Sequence, residues 1–132
     1  MDNEIIKSVE KLTADQNFAV GNDIVFIPDF DQSLTPLFKN KVYTSDEILY
    51  CDQFDNSLLR YASTWAAKEA VYKAIKQLDS ATLSWKNIEI TRDKIAGKPK
   101  VTLHTDQSYI SISLSISHDG DYVWAVAIAK KI

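Results

Sequence analysis

One cysteine, one methionine, two histidines, three glycines and three prolines are all that these types contribute to 132 residues. The shortages exclude a good deal. A lone Cys51 cannot close an internal disulfide, and no Cys/His cluster has the spacing of a zinc site. A reduced, cytoplasmic setting is the expectation. Basic charge is not in excess: 15 Lys and Arg stand against 18 Asp and Glu, a net charge of −3. That leaves no electrostatic footprint for nucleic acid. The apolar runs stop far short of a membrane span. The start Met-Asp-Asn-Glu lacks the basic region and apolar core of a secretory signal. Nor is there an internal repeat, a low-complexity tract or a linker. What is present is 45% hydrophobic and 11% aromatic residues, enough for one folded domain with a modest core.

The elements follow from periodicity. Ile5, Ile6, Val9 and Leu12 give residues 3–12 helical spacing, a short leader; residues 1–17 are set apart from a domain over 18–132. Residues 18–27 read as a buried strand ended by Pro28, with Asp29 to Thr35 as a polar turn. Pro36 starts a short helix through Lys41. Thr44 and Glu47 form a capping box for a helix through Tyr50. Asn56 or Ser57 caps a long helix over about 58–77. Four strands are expected at Leu83 to Ile90, Lys100 to His104, Tyr109 to Ser117 and Tyr122 to Ala129. Within the third, Ile110, Ile112, Leu114 and Ile116 alternate with Ser111, Ser113, Ser115 and Ser117, one apolar face against one of small hydroxyls. Asp119-Gly120 is the turn of a hairpin that sets Trp124 and Ala125 beside the serine strand. The fold class is α+β, a single-domain antiparallel sheet packed on the long helix.

The chemistry concentrates on that helix. From Trp65 to Ala74 it contains no Gly or Pro, and Glu69 and Lys73 lie one turn apart on one face. An isolated pair at this spacing is a surface ion pair that stabilises by about 0.2–0.5 kcal/mol. Glu69, however, continues a stripe begun by Leu58, Ala62 and Trp65. A carboxylate on such a stripe must be paired, protonated or bound to a cation. Asp23 poses the same problem, because it sits inside the apolar run Phe18 to Ile27.

Taken in order, the islands resemble one family. They are Gly21-Asn22-Asp23-Ile24; then Phe38, Lys41, Tyr43, Thr44 and Glu47 at fixed spacing; then Trp65-Ala66-Ala67-Lys68-Glu69-Ala70 with Lys73. After them come Trp85 with Ile88-Glu89-Ile90, then Gly97-Lys98-Pro99, then Ser115-Ile116-Ser117-His118. This series is similar to the phosphopantetheinyl transferases, in particular the small holo-acyl-carrier-protein synthase branch, and it runs from Gly21 to about Ala129. The resemblance implies an enzyme that transfers 4′-phosphopantetheine from coenzyme A to a serine of an acyl or peptidyl carrier protein, with release of 3′,5′-ADP. It implies Mg²⁺ held by Asp23 and Glu69 against the pyrophosphate, a task suited to oxygen donors. Glu69 and Lys73 are then the catalytic pair. Lys73, Gly97, Lys98, Pro99, Ser117 and His118 line the coenzyme site. It also implies a homotrimer with the coenzyme between subunits, acting in fatty-acid or polyketide synthesis. The general base stays open between Glu69 and a water at the cation. Lys68 points roughly 100° away from Glu69 around the helix and is expected in solvent.

Four positions depart from the family pattern. Thr64 stands where an Arg is usual, and Lys76-Gln77-Leu78 where a glycine loop is usual. Asp119 replaces the common Thr after the motif His, and Asp29 replaces a basic residue on the carrier-docking face. These departures motivate an alternative: a catalytically idle relative that binds coenzyme A or a protein partner through the same fold.

Overall fold

The computed structural model describes residues 3–7, 17–92, 97–106 and 109–132. Residues 3–7 are helical; the rest of the expected leader helix, and most of the 1–17 segment, lie outside the described residues. Strand β1 (Phe18–Phe26) alternates strictly: Ala19 and Val25 are buried, while Phe18, Val20, Ile24 and Phe26 face out. Helix α1 (Ile27–Ser33) follows at once, where the sequence was expected to turn. Pro28 occupies its first turn, where a missing N–H costs nothing and a fixed φ suits the helix. Phe30 then gives α1 a buried anchor. Helix α2 (Pro36–Val42) is capped by Thr35, and α3 (Ser45–Asp52) carries the Thr44–Glu47 capping box. Helix α4 (Ser57–Leu78) is capped by Asn56, whose Oδ1 accepts from the Leu59 N–H at 3.2 Å.

A 3₁₀ turn at Trp85–Asn87 precedes β2 (Ile88–Arg92), so this strand begins later than the apolar run from Leu83 implies. Its partner β3 is Pro99–Leu103. Strands β4 (Ile110–Asp119) and β5 (Tyr122–Lys131) form the expected hairpin. Gly120 has φ +56°, the left-handed conformation this turn needs. The antiparallel sheet is divided in two: β1-β5-β4 as one sheet, β2-β3 as the other.

Helix α4 crosses the larger sheet on a seam of small residues. Ala62, Ala66, Ala67, Ala70 and Ala74 are fully buried on the helix, and Ala125, Ala127 and Ala129 on β5. Gly21 lets β1 come closest: a Cβ there would lie 2.6 Å from the Ala74 nitrogen and nearer still to the Ala70 carbonyl oxygen. The opposite face of the sheet is apolar and bare. Phe18, Val20, Ile24 and Phe26 of β1 and Tyr122, Trp124 and Ile128 of β5 are exposed there. The β4 serines continue that face, Ser117 opposite Trp124 and Ser113 opposite Ile128.

Candidate active site

The close approach at Gly21 carries Asp23, two residues on, against the flank of α4. The Lys73 ammonium bonds Asp23 Oδ1 at 2.9 Å and the Asn22 carbonyl oxygen at 3.2 Å. Lys73 therefore pairs with the strand carboxylate rather than with its helical neighbour Glu69. Glu69 faces Asp23 instead, and its pKa is pushed up to about 7 by burial first and by the neighbouring Asp23 carboxylate next. The Lys73 ammonium thus faces Asp23, while Glu69 holds its proton until the pH rises to about 7. Asp23 and Glu69 open onto a cleft of about 510 Å³ whose walls include Ile24, Phe30, Phe38 and Trp65. The Phe38 and Trp65 rings meet edge to face at 5.2 Å and close its inner side.

The raised pKa of Glu69 has a sign that can be tested. Its folded value lies above the ordinary 4.5, so the unfolded chain gives up this proton first. Rising pH therefore favours unfolding between about pH 4.5 and 7, and has no such effect below that window. In chelator, Glu69→Gln is expected to melt higher than wild type at about pH 8 and level with it at about pH 4. A difference that does not change with pH, measured by thermal melting, contradicts a protonated Glu69.

Lys68 corrects the expectation of a solvated side chain, because it is fully buried. Its ammonium pairs with Glu47 Oε1 at 2.8 Å and donates to the carbonyl oxygens of Trp85 at 2.8 Å and Ile88 at 2.6 Å. Glu47 accepts in addition from the N–H groups of Thr44 and Ile90, both at 2.8 Å. Burial pushes Glu47 up and Lys68 down, and the contact between them opposes both shifts. With every donor and acceptor matched, the ion pair ties α3, α4 and β2 together behind the Trp65 wall. The signal was in the sequence: Tyr61, Thr64, Val71 and Ile75 put Lys68 on a second buried stripe of α4.

Other expected site residues lie elsewhere in the chain. Ser117 and His118 end β4 on the far flank of α4, in a recess shared with Arg60, Ser63 and Arg92. Lys98 and Pro99 line a groove between β3 and β4, and Gly97, at φ +65°, leads into it. A single chain brings Asp23, Glu69 and Lys73 together and leaves these two groups apart. Two of the four departures also have local explanations. Thr64 is buried and donates to the Arg60 carbonyl oxygen at 2.9 Å, with Cys51 Sγ at 3.8 Å, so its side chain does not face the cleft. In place of a loop, α4 continues through Leu78, and Gln77 donates to the Val20 carbonyl oxygen at 2.8 Å.

Two carboxylates with free access to a cleft suit a hard cation that completes its shell with phosphate and water. Among the described residues no group of three or more His, Cys, Asp or Glu gathers at one point, so a fully protein-caged metal is not the pattern. An antiparallel α+β scaffold that brings such a pair and a lysine to one cleft has the groups to receive a phosphorylated ligand together with a cation. The model of the 4′-phosphopantetheinyl transferase superfamily matches residues 19–127. A holo-[acyl-carrier-protein] synthase of Chlorobaculum parvum is 38% identical over 95 residues, 72% of this chain and 80% of that protein. The fatty acid synthase subunit alpha of Lachancea kluyveri is 34% identical over 137 residues, 96% of this chain but 7% of its own length. The ACPS–CoA complex of Chronobacterium ammoniagenes superposes with a TM-score of 0.76 at 27% identity, covering 87% of this chain and 98% of that one. The chain belongs to the 4′-phosphopantetheinyl transferase superfamily, as a holo-acyl-carrier-protein-synthase-like enzyme. Among the described residues no helix is long and apolar enough to cross a membrane.

Proposed function

We propose that this chain transfers 4′-phosphopantetheine from coenzyme A to a serine hydroxyl of an acyl carrier protein or related carrier domain, releasing 3′,5′-ADP. The observation that carries the reading is the convergence of Asp23, Glu69 and Lys73 on one cleft. Asp23 and Glu69 would hold Mg²⁺, which when bound supplies charge neutralisation to the pyrophosphate whose bond is broken. In the free protein the Lys73 ammonium stands in for part of that positive charge. Lys73 is half exposed at its side chain, free to turn from Asp23 to a phosphate oxygen when the coenzyme arrives. Trp65 and Phe38 wall the cleft and exclude water from its inner side. Glu69, once relieved of its proton, is positioned to accept the one released by the attacking serine.

The bare apolar face of the β1-β5-β4 sheet supports a homotrimer, since exposed patches of this kind mark interfaces. A neighbouring subunit would bring Ser117, His118, Gly97, Lys98 and Pro99 to a coenzyme that one chain alone leaves beyond their reach. Asp29 on α1 lies on the rim of the cleft, so the carrier meets an acidic edge there. A cytoplasmic setting agrees with the single buried thiol of Cys51.

The test is a mass-shift assay with coenzyme A, Mg²⁺ and apo-carrier proteins. Asp23→Ala and Glu69→Ala are expected to lose transfer by a factor of 10² or more, about 2.7 kcal/mol of transition-state stabilisation, with melting that stays cooperative. Full activity in either variant, or activity undiminished by excess chelator, overturns the assignment.

A further inference from the structure

The cleft that holds Asp23 and Glu69 has a third carboxylate on its wall, whose charge the transfer chemistry does not use. Asp29, in the first turn of α1, lines the cleft beside Phe26, Phe30 and Ser33. It is exposed, and it has no ion pair or hydrogen bond among the described residues. Opposite charge is held elsewhere. Among the described residues no lysine or arginine lines the cleft, and the Lys73 ammonium is turned onto Asp23 at 2.9 Å. Lys39 and Lys41 lie in the last turn of α2, outside the cleft walls, and the Lys39 ammonium sits over the Tyr61 ring at 4.6 Å. The start of α1 is acidic too, because Ile27 donates its N–H to the carbonyl oxygen of the exposed turn residue Asp121 at 2.8 Å. Asp29 is therefore the carboxylate that stays uncompensated once a cation occupies Asp23 and Glu69. Asp31 is different. It lies roughly 200° around α1 from Asp29, and it is not part of the cleft wall.

We propose that Asp29 selects the carrier by charge, so that the enzyme takes a carrier domain with basic side chains next to the modified serine and disfavours one that is acidic there. The inference rests on the transfer reading above and deepens it. Coenzyme and cation are small, but the serine arrives on a folded domain that cannot enter the cleft. Phe38 and Trp65 close the inner side, and the bare sheet face belongs to a neighbouring subunit. That leaves α1 as the wall a carrier meets, and the residues flanking its serine cross it beside Asp29. Opposite charges at such a rim steer the encounter, and like charges slow it and disfavour the complex. Ser33, on the same wall, can donate or accept, so the sign of the discrimination falls to Asp29.

The experiment uses one apo-carrier domain in two forms, one with acidic residues within a helical turn of the modified serine and one with those residues changed to lysine. Association with the whole enzyme is followed by surface plasmon resonance without coenzyme or metal, and transfer by mass shift with both present. Wild type is expected to bind the lysine form about tenfold more tightly at about 0.01 M salt. The preference should shrink to about threefold at about 0.15 M, as the screening length falls from about 30 Å to about 8 Å. Asp29→Asn is expected to bring the two forms within about threefold at low salt, and Asp29→Lys to reverse their order. Asp31→Asn removes the same charge from the other side of α1 and should keep the wild-type preference. Equal effects of Asp29→Asn and Asp31→Asn would reduce the preference to net charge and overturn the proposal. Tighter binding of the acidic form by wild type, with transfer to it, overturns the charge assignment and leaves the transfer reading standing. A wild type that neither binds nor modifies either form overturns the transfer reading and the carrier assignment with it. Should Asp29→Lys fail to fold, Asp29→Asn keeps the shape of the side chain, and an undiminished preference in that variant overturns the proposal on its own.

Discussion

Lys68→Ala is expected to lose about 3–5 kcal/mol of stability, the cost of stranding the buried Glu47 carboxylate without its partner. Domains of this size have only about 5–15 kcal/mol to lose, so the variant should be close to unfolded at the temperatures where wild type works. The loss has several parts acting together. Glu47 still takes the N–H groups of Thr44 and Ile90, but the Trp85 and Ile88 carbonyl oxygens lose their donor. Lys73→Ala is the informative contrast, because that side chain is half exposed. Exposed pairs contribute about 0–1 kcal/mol, so its melting should stay near wild type while coenzyme affinity falls. A double replacement, Lys68→Met with Glu47→Gln, removes both charges and should recover a large part of the stability lost by Lys68→Ala. Chemical denaturation of the four proteins checks the set. Equal stability of Lys68→Ala and Lys73→Ala would mean that the Glu47 pair does not tie α3, α4 and β2 together.

Gly21→Ala is expected to be nearly as damaging, although it adds one methyl group. That methyl collides with backbone on two sides, the Ala70 carbonyl oxygen and the Ala74 nitrogen, with Lys73 Cβ at 3.1 Å. Backbone cannot swing aside as a side-chain tip can, so β1 and α4 must separate. Overpacking of this kind costs about 1–3 kcal/mol, and more where relief is blocked. Activity should fall further than stability accounts for, because the same separation withdraws Asp23 from Glu69 and Lys73. The check is to compare transfer rates well below the variant's melting temperature, where it is fully folded. Wild-type rates there would show that the carboxylates do not depend on this close approach.

How much of this was legible in the sequence depends on whether the deciding contact was local. The Thr44–Glu47 capping box, the Asn56 cap, the period-two serines of β4 and the Asp119-Gly120 turn are all set within a few residues, and each matches its structure. In sequence Pro28 reads as a stop, yet it sits in the first turn of α1, because proline suits both roles and only the burial of Phe30 decides between them. Lys68 reads as solvated in sequence because burying an ammonium needs Glu47 and two carbonyl oxygens from distant segments. The meeting of Asp23, Glu69 and Lys73 followed from the order of the motifs. The separation of Ser117 and His118 from them did not, since it depends on β5 lying between β1 and β4 and on α4 running across all three.

The seam between α4 and the larger sheet has a consequence for how this enzyme can change. Alanine and glycine have no rotamers, so a seam made of them freezes almost no side-chain freedom on folding. For the same reason it has nothing to rearrange. A core of leucine and isoleucine can absorb a substitution by rotating a neighbour; here the spacing between strand and helix is fixed by main chain resting on main chain. The distance between the strand carboxylate and the helix carboxylate is therefore not open to gradual tuning. Variation in substrate preference has to arise at the rims, in α1 and at the end of β4, while the line from Gly21 along the buried alanines stays as it is.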